Sequence, residues 1–175
     1  MEQPKPEEVK PIEVERKWTI NEVPANLESY PHAEIAQGYL AITADKTEVR
    51  LRDKDGANFT QTVKIGQGLV RGEYEVAITP DQFAALWPAT AGKRVEKTRY
   101  AIDHNGAKIE LDVYKGPLAG LVTAEVEFKS PDDSTRFQAP TWFGSEVTTA
   151  PEYKNQSLAL KGRPAPAAPL SQGVK

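Results

Sequence analysis

The stretch IEVERKWTI, residues 12–20, sets Glu13, Glu15 and Lys17 on alternate positions, with Val14, Arg16 and Trp18 between them. The same spacing of polar and charged residues returns along the chain: Arg50 and Arg52 in VRLR, then Thr60, Thr62 and Lys64 in TQTVK, and Glu73 and Glu75 in EYE. It continues with Lys97 and Arg99 in KTR, Glu110 and Asp112 in ELD, and Glu125 and Glu127 in EVE. Successive side chains of a β-strand point to opposite faces, so each set occupies one face of its strand. The other face carries Val49 and Leu51, Val63 and Ile65, Tyr74 and Val76, Leu111 and Val113, and Val126 and Phe128. Turn residues at Asp53–Gly56, Gly66–Gly68, His104–Gly106 and Gly116–Gly120 separate these segments. Together they predict consecutive antiparallel strands joined by hairpins, and a mainly β fold.

A single strand of this kind turns its apolar side to a core and its charged side to water. The set as a whole departs from that arrangement. Like charges repeated at i and i+2 lie about 7 Å apart and repel unless something of opposite charge stands between them. The two signs also collect mostly on different strands, Lys17 beside Glu13 and Glu15 being the exception. A closed barrel would turn these faces inward, bring acids and bases across a water-filled lumen, and leave the apolar alternates to pack outward under helices. Clustered Lys and Arg suit a polyanion, and clustered carboxylates suit Mg²⁺ or Mn²⁺, which bridges phosphate oxygens. The ligand that fits both is a metal–triphosphate.

Composition narrows the alternatives. The chain of 175 residues is sized for one domain. Residues 1–11 are rich in Pro and Glu and residues 163–175 in Pro and Ala, which predicts tails around a folded body at 12–162. A net charge of −3 gives the whole chain no electrostatic reason to bind nucleic acid or an anionic membrane. The absence of cysteine removes disulfides and thiolate chemistry, and two histidines, His32 and His104, read as loop residues, cannot build a His-based metal site. No apolar run is long enough to cross a membrane and the N-terminus is unlike a signal peptide, so the expected location is the cytoplasm. Two helices are expected. One follows Thr79 with Pro80 at its first position and Gln82 closing a capping box, and the other runs through PEYKNQSLALKG to Gly162. VPANLESY holds a short helix, and Trp18, Trp87 and Trp142 are read as packing residues on the outer side.

EVERK resembles the ExExK signature of the CYTH proteins, or triphosphate tunnel metalloenzymes. The likeness continues in order over about residues 12–160, through QGYL, VRLR, TVK, GEYE, EKTRY, IELDVY, AEVEF and PEYKNQSLA. The short loops resemble the compact bacterial branch of the family. The resemblance implies an eight-stranded antiparallel closed β-barrel around a triphosphate, with a few covering helices. It implies Glu13, Glu15, Glu125 and Glu127, with Glu110 and Asp112, as metal ligands, and Lys17, Arg50, Arg52, Lys64 and Arg99 as phosphate ligands. Glu73 and Glu75 would serve substrate placement, and Lys97 with Tyr39 would orient or deprotonate a water.

The reading that follows is metal-dependent hydrolysis of inorganic tripolyphosphate, with a small-molecule triphosphate as partner and Mg²⁺ or Mn²⁺ as cofactor. A class IV adenylyl cyclase, a nucleoside or thiamine triphosphatase, and a non-catalytic polyphosphate-binding module stay open as alternatives. Apolar outer positions not covered by helices leave room for a homodimer.

Overall fold

The computed structural model describes residues 14–45, 47–65 and 72–165. Glu13, the Gly66–Gly68 turn and both expected tails, except residues 163–165, lie outside the described residues. The strands are β1 (Val14–Ile20), β2 (His32–Ile42), β3 (Glu48–Lys54), β4 (Asn58–Ile65), β5 (Gly72–Ala77), β6 (Arg94–His104), β7 (Ala107–Tyr114), β8 (Val122–Phe128) and β9 (Phe143–Glu146). They form one nine-stranded sheet in the order β5-β4-β3-β2-β6-β7-β8-β1-β9. Every neighbouring pair is antiparallel. The β3–β4 and β6–β7 hairpins turn at Asp55–Gly56 and Asn105–Gly106, all four residues at positive φ, as tight hairpin turns require. His32 and His104 sit at strand ends rather than in loops, and the His32 ring packs on Tyr100.

Two features differ from the expected eight-stranded closed barrel. β9 is an additional strand of four residues with no charge alternation, so periodicity does not reveal it. Among the described residues, β5 and β9 form the two ends of the hydrogen-bonded order rather than a closed ladder. Part of the reason lies in β1, whose second edge is taken by β9 over the Trp18–Ile20 half. The sheet nevertheless curls. Glu15 on β1 feels the charge of Lys64 on β4, although β8, β7, β6, β2 and β3 lie between them in the ladder.

The apolar alternates of β1, β6, β7 and β8 form the main core as the sequence predicts, whereas Ile65, Tyr74 and Val76 on β4 and β5 are exposed, with no helix among the described residues over them. Trp18, Tyr100, Ile102, Ile109, Leu111, Ala124, Val126 and Phe128 are buried together on one face of β1, β6, β7 and β8. Each such side chain contributes about 1.5–3 kcal/mol on burial. Helix α2 follows at Pro131–Arg136, started by Ser130, whose hydroxyl accepts from Asp133 N. It delivers Phe137 onto Trp18 and Phe128, while Trp142 packs edge-on against Phe143.

Helix α1 (Pro80–Leu86) forms behind its predicted capping box. Its Phe83 packs on Phe59 and on Trp87, and Trp87 in turn carries the Arg94 guanidinium at 4.3 Å. The VPANLESY segment makes a 3-10 turn at Leu27–Ser29. Helix α3 (Asn155–Lys161) ends at Gly162, φ +81, as predicted. Its Leu158 joins Val95, Tyr114, Leu118 and Leu121 in a second apolar cluster. Val95 and Tyr114 are two residues from Lys97 and Asp112, so this cluster closes one end of the charged face. No helix among the described residues is long and apolar enough to cross a membrane.

Candidate functional site

Register places the predicted side chains on one face. Across neighbouring strands Lys17 stands opposite Glu125 and Glu15 opposite Glu127. Arg99 stands opposite Asp112 and Lys97 opposite Tyr114. Glu110 is opposite Glu125, Arg50 opposite Tyr39 and Arg52 opposite Gln37. Lys64 pairs with Glu48 on one side and Glu73 on the other, and Thr62 with Arg50 and Glu75. Cross-strand partners share a face, so one surface of the sheet collects both signs of charge.

On the β6, β7, β8 and β1 flank these charges are tied together. Lys97 Nζ donates to Asp112 Oδ2 at 2.6 Å, with Lys97 1% and Asp112 0% exposed. Arg99 grips both Asp112 oxygens, each at 2.7 Å, and also donates to Glu110 and to Glu125 Oε2 at 3.1 Å. Lys17 Nζ donates to Glu125 Oε1 at 2.7 Å. Asp112, expected among the metal ligands, therefore has both oxygens engaged by cations. On the β2 to β5 flank the balance is different. Lys64 Nζ lies 2.9 Å from Glu73, Arg50 only reaches that carboxylate at 3.8 Å, and Thr62 Oγ1 donates to Glu75 at 2.9 Å. Arg50 Nε, Arg52 Nε and Gln37 Nε2 are buried without a hydrogen-bond partner among the described residues.

Lys97 is opposite Ile35, and Tyr39 lies four residues further along β2 on the same face, a backbone offset of about 13 Å at strand rise. The tyrosine directly opposite Lys97 is Tyr114, whose ring centroid is 5.5 Å from Nζ.

The comparisons with known proteins agree with this geometry. The chain is 46% identical over 150 residues to an inorganic triphosphatase of Nitrosomonas europaea, covering 85% of this chain and 97% of that protein. It is 35% identical over 123 residues to an inorganic triphosphatase of Acetivibrio thermocellus, covering 70% and 77% respectively. A crystal structure of an inorganic triphosphatase superposes with a TM-score of 0.69 at 43% identity, covering 85% of this chain and 94% of that one. The chain belongs to the CYTH, or triphosphate tunnel metalloenzyme, family. No family model matches it.

In this CYTH chain the packed charges shift one another's protonation. Burial raises the Glu15 carboxyl to about 7, Glu125 and Glu127 adding to the effect and Lys17 opposing it. Burial acts the same way on Glu125, but Lys17, Lys97 and Arg99 outweigh it and hold that carboxyl down at about 2. Burial lowers Lys97 to about 8 against the pull of Asp112, with Arg99 adding to the lowering. Burial, then the Arg50 and Arg99 charges, lower Arg52, while burial pushes the Tyr39 hydroxyl up to about 12. Among the described residues no three acids or histidines converge into a ready-made metal cage. The facing Glu15 and Glu127, with Glu125 adjacent, are nevertheless a hard, oxygen-only donor set.

Sequence reasoning missed Gln37, Glu48, Tyr114 and Thr123 on this CYTH face, all but Thr123 within the registers above. Each lies two residues from a side chain already singled out, so extending the alternation by one step would have found it.

Proposed function

We propose that this chain is a divalent-metal-dependent triphosphatase that hydrolyses inorganic tripolyphosphate to pyrophosphate and orthophosphate. The observation that carries the reading is the shared face on which Lys17, Arg50, Arg52, Lys64, Lys97 and Arg99 meet the acids of β1, β7 and β8. The identity to inorganic triphosphatases supports it. A tripolyphosphate offers only acceptor oxygens and negative charge, which is what an arginine pair with unpaired donors needs. The curled sheet encloses the phosphate chain as a barrel, shielding the anhydride from bulk water.

Glu15, Glu125 and Glu127, with Glu13, would hold Mg²⁺ or Mn²⁺. The donor set fits such an ion because Glu15 faces Glu127 across the β1–β8 ladder with Glu125 adjacent, and burial, then the Glu125 and Glu127 charges, raise the Glu15 carboxyl despite Lys17 and Lys64. Hard cations of this kind take one or two carboxylates and complete their shell with phosphate oxygens, so a full protein cage is not required. The ion supplies charge neutralisation at the phosphoryl oxygens. Arg50, Arg52, Lys64, Lys17 and Arg99 bind and orient the chain, and Glu73 and Glu75 hold Lys64 and Thr62 in place. Asp112 fixes Lys97 and Arg99. Lys97, lowered to about 8, carries a share of neutral amine near that pH; in that form it orients the attacking water and takes up its proton as the terminal P–O bond breaks and pyrophosphate leaves, and the ammonium so formed stays paired with Asp112. Tyr39 lines the same face beside Arg50.

The test is product analysis with purified protein, Mg²⁺ or Mn²⁺, and tripolyphosphate or ATP in parallel. Rapid orthophosphate from tripolyphosphate with little ATP turnover is expected. Cyclic AMP with pyrophosphate from ATP would mean that the site serves a cyclase instead.

A further inference from the structure

We infer that Gln37 is a substrate-contact residue, donating a neutral hydrogen bond to an oxygen of the terminal phosphoryl group at the end of the site closed by Val95 and α3. This rests on the triphosphatase reading. Gln37 is 0% exposed, on the charged face of β2, opposite Arg52 of β3 and Val95 of β6. Its Oε1 accepts from Arg52 Nη2 at 3.5 Å, and its Nε2 has no hydrogen-bond partner among the described residues. Turning the amide over would set its N–H groups against the guanidinium, donor against donor, so the orphaned atom is a donor in the arrangement that pairs.

Native proteins satisfy nearly all buried polar groups, and an unmet one leaves its desolvation cost uncompensated. The three such side-chain atoms among the described residues, Gln37 Nε2, Arg50 Nε and Arg52 Nε, are all donors on the adjacent strands β2 and β3. Donors clustered without an acceptor call for a ligand made of acceptors. The arginines bring charge to that ligand. The amide brings direction, because it neither titrates nor attracts at long range. Next to it Val95, Leu118, Leu121 and Leu158 are apolar, and the hydroxyl of Tyr114 in the same cluster is already engaged by Asn155 and Thr123, so a further phosphate or sugar would meet little polar partnership there. The chain therefore ends at Gln37, and the group read there is an unsubstituted phosphoryl terminus.

The experiment compares wild type with Gln37→Leu and Gln37→Glu, measuring kcat and KM for tripolyphosphate with Mg²⁺ and the thermal midpoint of the free protein. Gln37→Leu is expected to raise KM about tenfold with kcat within about twofold, the loss of one hydrogen bond to a charged acceptor. Its free-state midpoint is expected to change little, because the amide's unmet donor goes together with only the long 3.5 Å bond that its Oε1 accepts from Arg52. Gln37→Glu keeps an acceptor for Arg52 but sets a carboxylate against phosphate, and is expected to raise KM further. A lower midpoint in Gln37→Leu with KM unchanged would show a purely structural role and overturn the inference. So would wild-type KM in both variants. A wild type without activity on tripolyphosphate overturns the triphosphatase reading and this inference together, whereas an active wild type with unperturbed variants overturns the role of Gln37 alone.

Discussion

Glu15 holds the least comfortable charge on the site face. Its carboxyl is raised from 4.5 to about 7, by burial first and then by Glu125. A carboxyl whose folded value lies above its unfolded value stabilises the fold in its protonated form. Its contribution is complete below about pH 4.5 and is lost as pH rises towards 7. Metal-free wild type is therefore expected to lose more of its urea midpoint than Glu15→Gln between about pH 5 and pH 8, and Mg²⁺ is expected to restore it at the higher pH. Parallel urea titrations with chelator or Mg²⁺ check this, and identical pH profiles for the two proteins would count against it. The same residue shows what sequence makes legible in a site. Like charges two apart announce a face, so Glu15, Arg50, Arg52 and Lys97 stand out from their spacing alone. Extending the same spacing places Gln37 and Tyr114 on that face too, but does not reveal their roles, which come from burial and from neighbours on other strands. Nor does spacing reveal that Asp112 is occupied by Lys97 and Arg99, since that depends on the register of β6 against β7.

At the scale of elements, β2 depends on a residue with no side chain. Gly38 faces away from the site, and a Cβ there would stand 2.6 Å from both Cβ and Oγ1 of Thr90. Thr90 cannot move freely, because its hydroxyl donates to Trp87 O at 2.7 Å and accepts from Arg94 Nε at 2.8 Å. Gly38→Ala is thus expected to push the Trp87–Thr90 turn off β2 and to destabilise the protein by about 1–3 kcal/mol, the usual cost of overpacking. Chemical denaturation measures it, and an unchanged midpoint would show that the turn yields without cost. Such contacts explain why some elements are readable and others are not. α1 and α3 carry local signals, a capping box and a terminal glycine, that act within one segment. β9 has neither alternation nor length, and exists because β1 offers it an edge. α2 has a local signal in Ser130, Pro131 and Asp133, but its single turn and a half lacks an apolar stripe to confirm it.

For the whole molecule, net charge and site charge point in opposite directions. The chain carries −3 overall, which taken alone repels a polyanion. The curled sheet separates that average from the local field by gathering Lys17, Arg50, Arg52, Lys64, Lys97 and Arg99 on one surface. The two contributions differ in their response to salt, because screening weakens whichever interaction governs approach. If net charge governed, salt would relieve repulsion and KM for tripolyphosphate would fall. If the local face governs, salt screens attraction and KM rises. Raising ionic strength from about 0.05 to about 0.5 M at fixed free Mg²⁺ is expected to raise KM several-fold and to leave kcat nearly unchanged, since charges in contact inside the site are screened far less than charges at a distance. Steady-state kinetics across a chloride series provides the check. A falling KM would show that the net negative charge of the chain, rather than the bases of this face, sets the field the substrate meets.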